Sequence, residues 1–190
     1  MGIHRTSLIV KFWPILMLCF GNVAHGISMG IYGFGGVMQV PASQHYAASY
    51  GGSVDFTNGR RDVSLRLSYL ERPVHEGQGF VDQDMIGSLT LGSRVAGKKN
   101  RGLRAFLGYG VASGYVQAQD NNFDQELYGA DEASYQIEGL DFQVDVFSAW
   151  GDFEVGLTHR MFVGLPNSQQ LAANVAYPYS SYALFLGYVY

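Results

Sequence analysis

The sequence predicts an all-β fold, an eight-stranded antiparallel up-and-down barrel that crosses a membrane, and three observations carry that expectation. Segments of period-two alternation recur along the chain after about residue 27, each with an apolar face and a small or polar face. The connections between them alternate long and short. The charges that fall inside the segments share faces with Gly, Ser, Thr and Gln, opposite faces of Leu, Val, Phe, Tyr and Met. Eight strands enclose a space that side chains just fill. A soluble eight-stranded barrel puts its charge outside, which here would crowd the large apolar residues into that space. The apolar faces are therefore expected to meet lipid and the charged faces to be sealed inside.

Composition agrees. Charged residues make up 15% of the 190, aromatics 14%, and 25 residues are Gly, against a usual charged share of about a quarter. Residues 1–26 read as a secretory signal: His4, Arg5 and Lys11 form a basic leader, Phe12 to Phe20 an apolar run, and Ala24-His25-Gly26 a small-residue exit with cleavage expected before Ile27. Residues 27–190 then form the barrel. The Met1-Gly2 and Thr6 pattern for myristoylation is a chance match beside an export signal, and Leu18 before Cys19 does not suit lipoprotein processing. Cys19 is the only cysteine, so the mature chain has no disulfide or thiol chemistry. Loss of Arg5 and Lys11 takes the formal charge from −4 to −6, which argues against nucleic acid as a partner. No cofactor is implied.

Taken in order, the first strand covers Met29–Val40, with Tyr32, Phe34, Met38 and Val40 expected on the outer face. After a loop near Pro41–His45, Ala48–Thr57 sets Tyr50, Val54 and Phe56 against Ser53 and Asp55. Asn58-Gly59 is a strong hairpin signal, and Asp62–Leu70 returns with Val63, Leu65, Leu67 and Tyr69 opposite Ser64, Arg66 and Ser68. Glu71–Gln83 reads as a long polar loop. Met85–Arg94 follows, then a basic turn at Ala96–Gly102, then Leu103–Tyr115 with Arg104 on its small-residue face. Val116–Ser134 reads as an acidic loop. Tyr135–Phe147 sets Leu140, Phe142, Val144 and Val146 against Asp141, Gln143 and Asp145, and its parity slips at Glu138-Gly139, as a bulge would make it. Trp150-Gly151-Asp152 turns into Phe153–Phe162, with Glu154 and Arg160 inward. Val163–Tyr179 is a loop, and Tyr182–Tyr190 alternates without a fault to the last residue.

Tyr32, Tyr50, Tyr69, Tyr109, Trp150, Tyr182, Tyr188 and Tyr190 fall near strand ends, where interfacial aromatics belong. On these patterns the chain resembles, over Ile27–Tyr190, the small outer-membrane barrels typified by OmpA and OmpX. That resemblance implies an outer-membrane location, periplasmic termini and short turns, surface loops, and a terminal aromatic strand read by the assembly machinery, although Gly187 lies nearer the terminus than the family's glycine. The implied neighbours are outer-membrane lipid and lipopolysaccharide, and the implied state is a monomer.

The expected charge network is Asp55, Arg66, Arg104, Asp141, Asp145, Glu154 and Arg160, a structural set because each buried charge needs a partner. Two sharper candidates stand beside it. His159 shares its parity with Phe153, Val155 and Leu157 and so faces lipid, a position similar to the catalytic His of PagL-type lipid A deacylases. That family's Ser two residues on is replaced by Met161, no Asp or Glu follows Glu154, and Ser168 and Ser180 lie outside the motif, so nucleophile and orienting acid are both missing. Asp120, Asn122, Asp124 and Asp131 have calcium-loop spacing, but Gln125 occupies the position of the turn glycine and Asp131 that of the bidentate Glu. The expected function is a structural or surface-interaction role through the outer loops, with a lipid A hydrolase as the alternative and a narrow channel as a third reading.

Overall fold

The computed structural model describes residues 26–39, 46–58, 62–76, 80–118, 132–165 and 179–190. These form eight strands: β1 (Ser28–Gln39), β2 (Tyr46–Thr57), β3 (Val63–Glu76), β4 (Phe80–Lys98), β5 (Arg101–Ala118), β6 (Glu132–Trp150), β7 (Phe153–Gly164) and β8 (Tyr179–Val189). Each pairs antiparallel with its sequence neighbours, and β8 closes on β1. Residues 1–25 of the expected signal (residues 1–26) and the four calcium-loop candidates lie outside the described residues.

The register fixes the barrel's dimensions. One circuit of paired residues runs Ser28–Thr57–Ser64–Gly92–Phe106–Gln143–Arg160–Ser181–Met38. It re-enters β1 ten residues beyond its start, from position 28 to 38. Eight strands with that shear tilt by about 40° and leave a backbone radius of about 8 Å, room for side chains and little else. The adjacent circuit is Met29, Phe56, Leu65, Leu91, Leu107, Phe142 and Met161, an apolar belt over seven strands that reaches Ser180 on β8.

Counted along the ladders, Tyr50, Tyr69, Tyr109 and Tyr182 come to one level toward the loop end. Trp150, Phe153, Tyr188 and Tyr190 come to another beside the termini. Tyr182 and Tyr190 are eight positions apart in the sequence, about 20 Å along the axis at that tilt. At the terminus end two turns rest on glycines in the left-handed region, Gly97 (φ 96°) before the β4–β5 turn and Gly151 (φ 62°) in the β6–β7 turn.

Three expectations are corrected. Tyr32 and Met38 point inward, 4% and 0% exposed, while Met29, Ile31 and Val37 face out. Space decides it: Tyr32 pairs with Gly187, where a β-carbon would collide with its ring, and a β-carbon at Gly30 would lie 2.6 Å from the ring. The polar stretch Glu71–Gln83 is no long loop, because β3 continues to Glu76 and β4 begins at Phe80. Strands that leave an apolar layer keep pairing in water without needing alternation. The ladder is unbroken at Glu138-Gly139, and the irregularities fall instead between Arg72 and His75 and between Arg94 and Ala96. The parity slip has another cause: Ile137 is an apolar residue pointing inward, 1% exposed.

Candidate functional site

The inward faces build a stack of polar and aromatic layers. Nearest the terminus end, the Arg104 guanidinium lies 2.9 Å from Glu154 and 3.5 Å from Asp145, and Tyr32 donates its hydroxyl to Glu154 at 3.1 Å. Arg66, 1% exposed, reaches across the barrel: it donates to Asp55 and to Asp145, each at 2.8 Å, and to Gln143 at 3.1 Å. The faces of these cations are covered too, with the Arg66 guanidinium 3.9 Å from the Phe106 ring centroid and Arg104 4.3 Å from that of Phe147.

The next layer carries Arg160, which donates to Asp141 at 2.9 Å and to Ser88 at 2.9 Å. Gln143 links the two layers by donating to Asp141 at 2.8 Å. Above them an apolar plug of Met38, Leu70, Ile86, Ala112, Ile137, Phe162 and Tyr179 fills the loop end of the interior. One further ion pair sits at the plug's level. Arg72 donates its Nε–H to Asp84 at 2.9 Å, and Tyr179 donates to the same carboxylate at 2.9 Å.

All seven charges expected in the network are buried and ion-paired to one another. Arg72 and Asp84 were missed because Arg72 falls in the stretch that reads as a loop and Asp84 at its edge, where alternation lapses. The signal available was that Arg72 and Asp84 keep the parity of Arg66 and Ser88. A low-dielectric interior makes such paired, hydrogen-bonded charges rigid and makes any single removal expensive. The arrangement fixes cross-barrel contacts between strands distant in sequence.

The outer surface carries a different group. His159 on β7 and Ser180 on β8 both face out just at the upper tyrosine level, and the His159 Nε2 lies 3.0 Å from the Ser180 Oγ. The imidazole stacks on Tyr182, ring centroids 4.5 Å apart and planes at 12°. Sequence spacing could not find this pair, because it depends on the β7–β8 register that sets His159 opposite Tyr182. No carboxylate within the described residues orients the other imidazole nitrogen. Elsewhere on the outer surface toward the loop end, Tyr69 donates to Glu71 at 2.7 Å, and Tyr109 donates to Glu138. Among the described residues no cluster of His, Cys, Asp or Glu is placed to hold a metal ion.

Closure, strand count and inside-out polarity together settle the fold. It is that of the small eight-stranded outer-membrane barrels. The chain is similar to the N-terminal barrel domain of Pseudomonas aeruginosa OprF, at a TM-score of 0.56 and 19% identity over 86% of this chain and 97% of that one. It is similar also to Ail, the attachment invasion locus protein of Yersinia pestis, at 0.53 and 14% identity over 87% and 99%. Ail in complex with the heparin analogue sucrose octasulfate matches at 0.54 and 12%. No protein-family model and no curated sequence matches the chain.

Proposed function

We propose that the chain is an outer-membrane barrel, exported by residues 1–26, with periplasmic termini and a structural or surface-interaction role carried by its loop end. The observation that supports this reading most is the inverted polarity. Leu184 and Leu186 are 63% and 62% exposed while Arg66, Asp55 and Asp145 are sealed, an arrangement that water would penalise and acyl chains favour. Ail, whose name records attachment and invasion, supports the surface role. The chain acts as a monomer, meets lipid and lipopolysaccharide along its apolar belt, and presents its terminal aromatic strand to the assembly machinery.

The test is heat-modifiable gel migration of the detergent-folded protein, combined with proteolysis of intact cells. A compact band that shifts on boiling, with cleavage restricted to the connections at the loop end, is expected. A soluble periplasmic protein lacking that shift would end the proposal.

The hydrogen bond between His159 and Ser180 favours a second reading, a hydrolase for ester-linked acyl chains of lipid A. The His would take the Ser hydroxyl proton as the oxygen attacks the ester carbonyl, return it to the sugar oxygen as the ester C–O bond breaks, and then activate a water that hydrolyses the acyl-serine to free fatty acid. With no orienting carboxylate among the described residues, the pair ranks below the surface role. Fatty-acid release from lipid A by the folded protein, abolished in both His159→Ala and Ser180→Ala, would promote this reading; no release is the expected result.

A further inference from the structure

After residue 26 the sequence contains ten Lys and Arg residues, the 12 of the whole chain less Arg5 and Lys11. Four of them, Arg66, Arg72, Arg104 and Arg160, are interior. The remaining six are Arg60, Arg61, Arg94, Lys98, Lys99 and Arg101. Arg60 and Arg61 belong to the β2–β3 connection, outside the described residues. The other four flank the β4–β5 turn, so the loop end contributes no cation to the barrel's exterior. Such a one-ended distribution is not needed for folding a barrel whose turns require only glycine and polar residues.

Arg94 is already committed, since its guanidinium pairs with Asp62. Lys98, Lys99 and Arg101 are exposed, and no carboxylate among the described residues lies within ion-pair distance of them. The turn is held at a defined depth. The Ala149 amide donates to the Asn100 carbonyl at 2.6 Å, which sets Lys99 and Asn100 beside Trp150, itself 65% exposed. Trp150 belongs to the lower aromatic level, and interfacial aromatics sit at headgroup depth. Three unpaired cations are thus fixed at the level of lipid phosphates, on side chains long enough to reach them.

We propose that Lys98, Lys99 and Arg101 form a binding site for the headgroups of anionic phospholipids in the leaflet at the terminus end. This rests on the membrane reading above and adds which lipid that end selects. Each Lys or Arg near an anionic surface contributes on the order of 1 kcal/mol, and the attraction is screened within a Debye length.

Trp150 is the reporter, because the only other tryptophan is Trp13 in the signal stretch. Residues 27–190 are reconstituted in mixed vesicles of phosphatidylcholine and phosphatidylglycerol, with dibrominated acyl chains on one lipid or the other. The folded state is verified by the heat-dependent gel shift. Brominated phosphatidylglycerol is expected to quench Trp150 as a lipid preferred about five-fold or more over phosphatidylcholine. The preference should fall to about one in the triple variant Lys98→Gln, Lys99→Gln, Arg101→Gln, and in 0.5 M NaCl for the parent. Equal quenching by both lipids in the folded parent overturns the site and leaves the membrane barrel standing. A preference retained in the triple variant overturns its assignment to these residues. Quenching by neither lipid overturns the membrane reading itself.

Discussion

Asp145 accepts from Arg66 and lies within ion-pair distance of Arg104, so its charge serves two buried cations at once. Asp145→Asn keeps the shape and removes the charge. The expected loss is about 3–5 kcal/mol, as for a broken buried pair, read as a lower urea midpoint of the detergent-folded barrel. Replacing both members of a pair tells the two effects apart. Arg160→Met with Asp141→Leu removes two charges together and is expected to be close to neutral, because neither is left uncompensated. If the double replacement costs as much as Asp141→Leu alone, the layers owe their stability to shape and not to charge pairing. At this scale the sequence was informative wherever parity held: Asp55, Arg66, Asp141 and Glu154 could each be assigned to the interior from their neighbours. Their partners could not, because Arg66 to Asp145 spans the barrel and is set by closure.

At the scale of the element, β8 and β1 make the contrast. In β8 the faces differ sharply, Leu184 and Leu186 against Ala183 and Gly187, and its orientation was legible. Leu186 faces out midway between Tyr182 and Tyr190, and Leu186→Arg is expected to cost about 2–4 kcal/mol in a bilayer; equilibrium folding into vesicles measures it. A negligible cost would mean that this face does not meet acyl chains. In β1 both faces carry apolar residues, Tyr32, Phe34 and Met38 on one and Met29, Ile31 and Val37 on the other, so alternation alone cannot say which is inside. Gly187 decides it from the partner strand by leaving room for the Tyr32 ring. In the plug, Ile137 and Phe162 are apolar residues that keep the parity of the inward charges of their strands, and both are buried at 1% and 0% exposure. Phe162→Ala is expected to cost about 3–5 kcal/mol, measured as the shift in urea midpoint, whereas outward Phe142→Ala should cost clearly less.

For the whole molecule, a ten-residue shear on eight strands leaves an interior that the ionic layers and the apolar plug occupy throughout. Steady conductance in planar bilayers is therefore not expected, and regular single-channel steps from the parent protein would contradict a filled lumen. The charge distribution is a property of the same scale. Among the described residues, Arg94, Lys98, Lys99 and Arg101 lie at the terminus end beside Asp62 and Asp152, while Glu71 and Glu138 mark the loop end, so exterior cations are found at one rim only.

Sequence alone determined the strand count, the up-and-down order, seven of the interior charges and the outward polarity, because period two projects each residue onto one of two faces and a barrel keeps that division throughout. Tertiary structure decided what two faces cannot encode: which side of β1 is inside, how the ionic residues pair across the lumen, and that Ser180 lies against His159. Those depend on register and closure, which bring together strands distant in sequence at heights no single strand records.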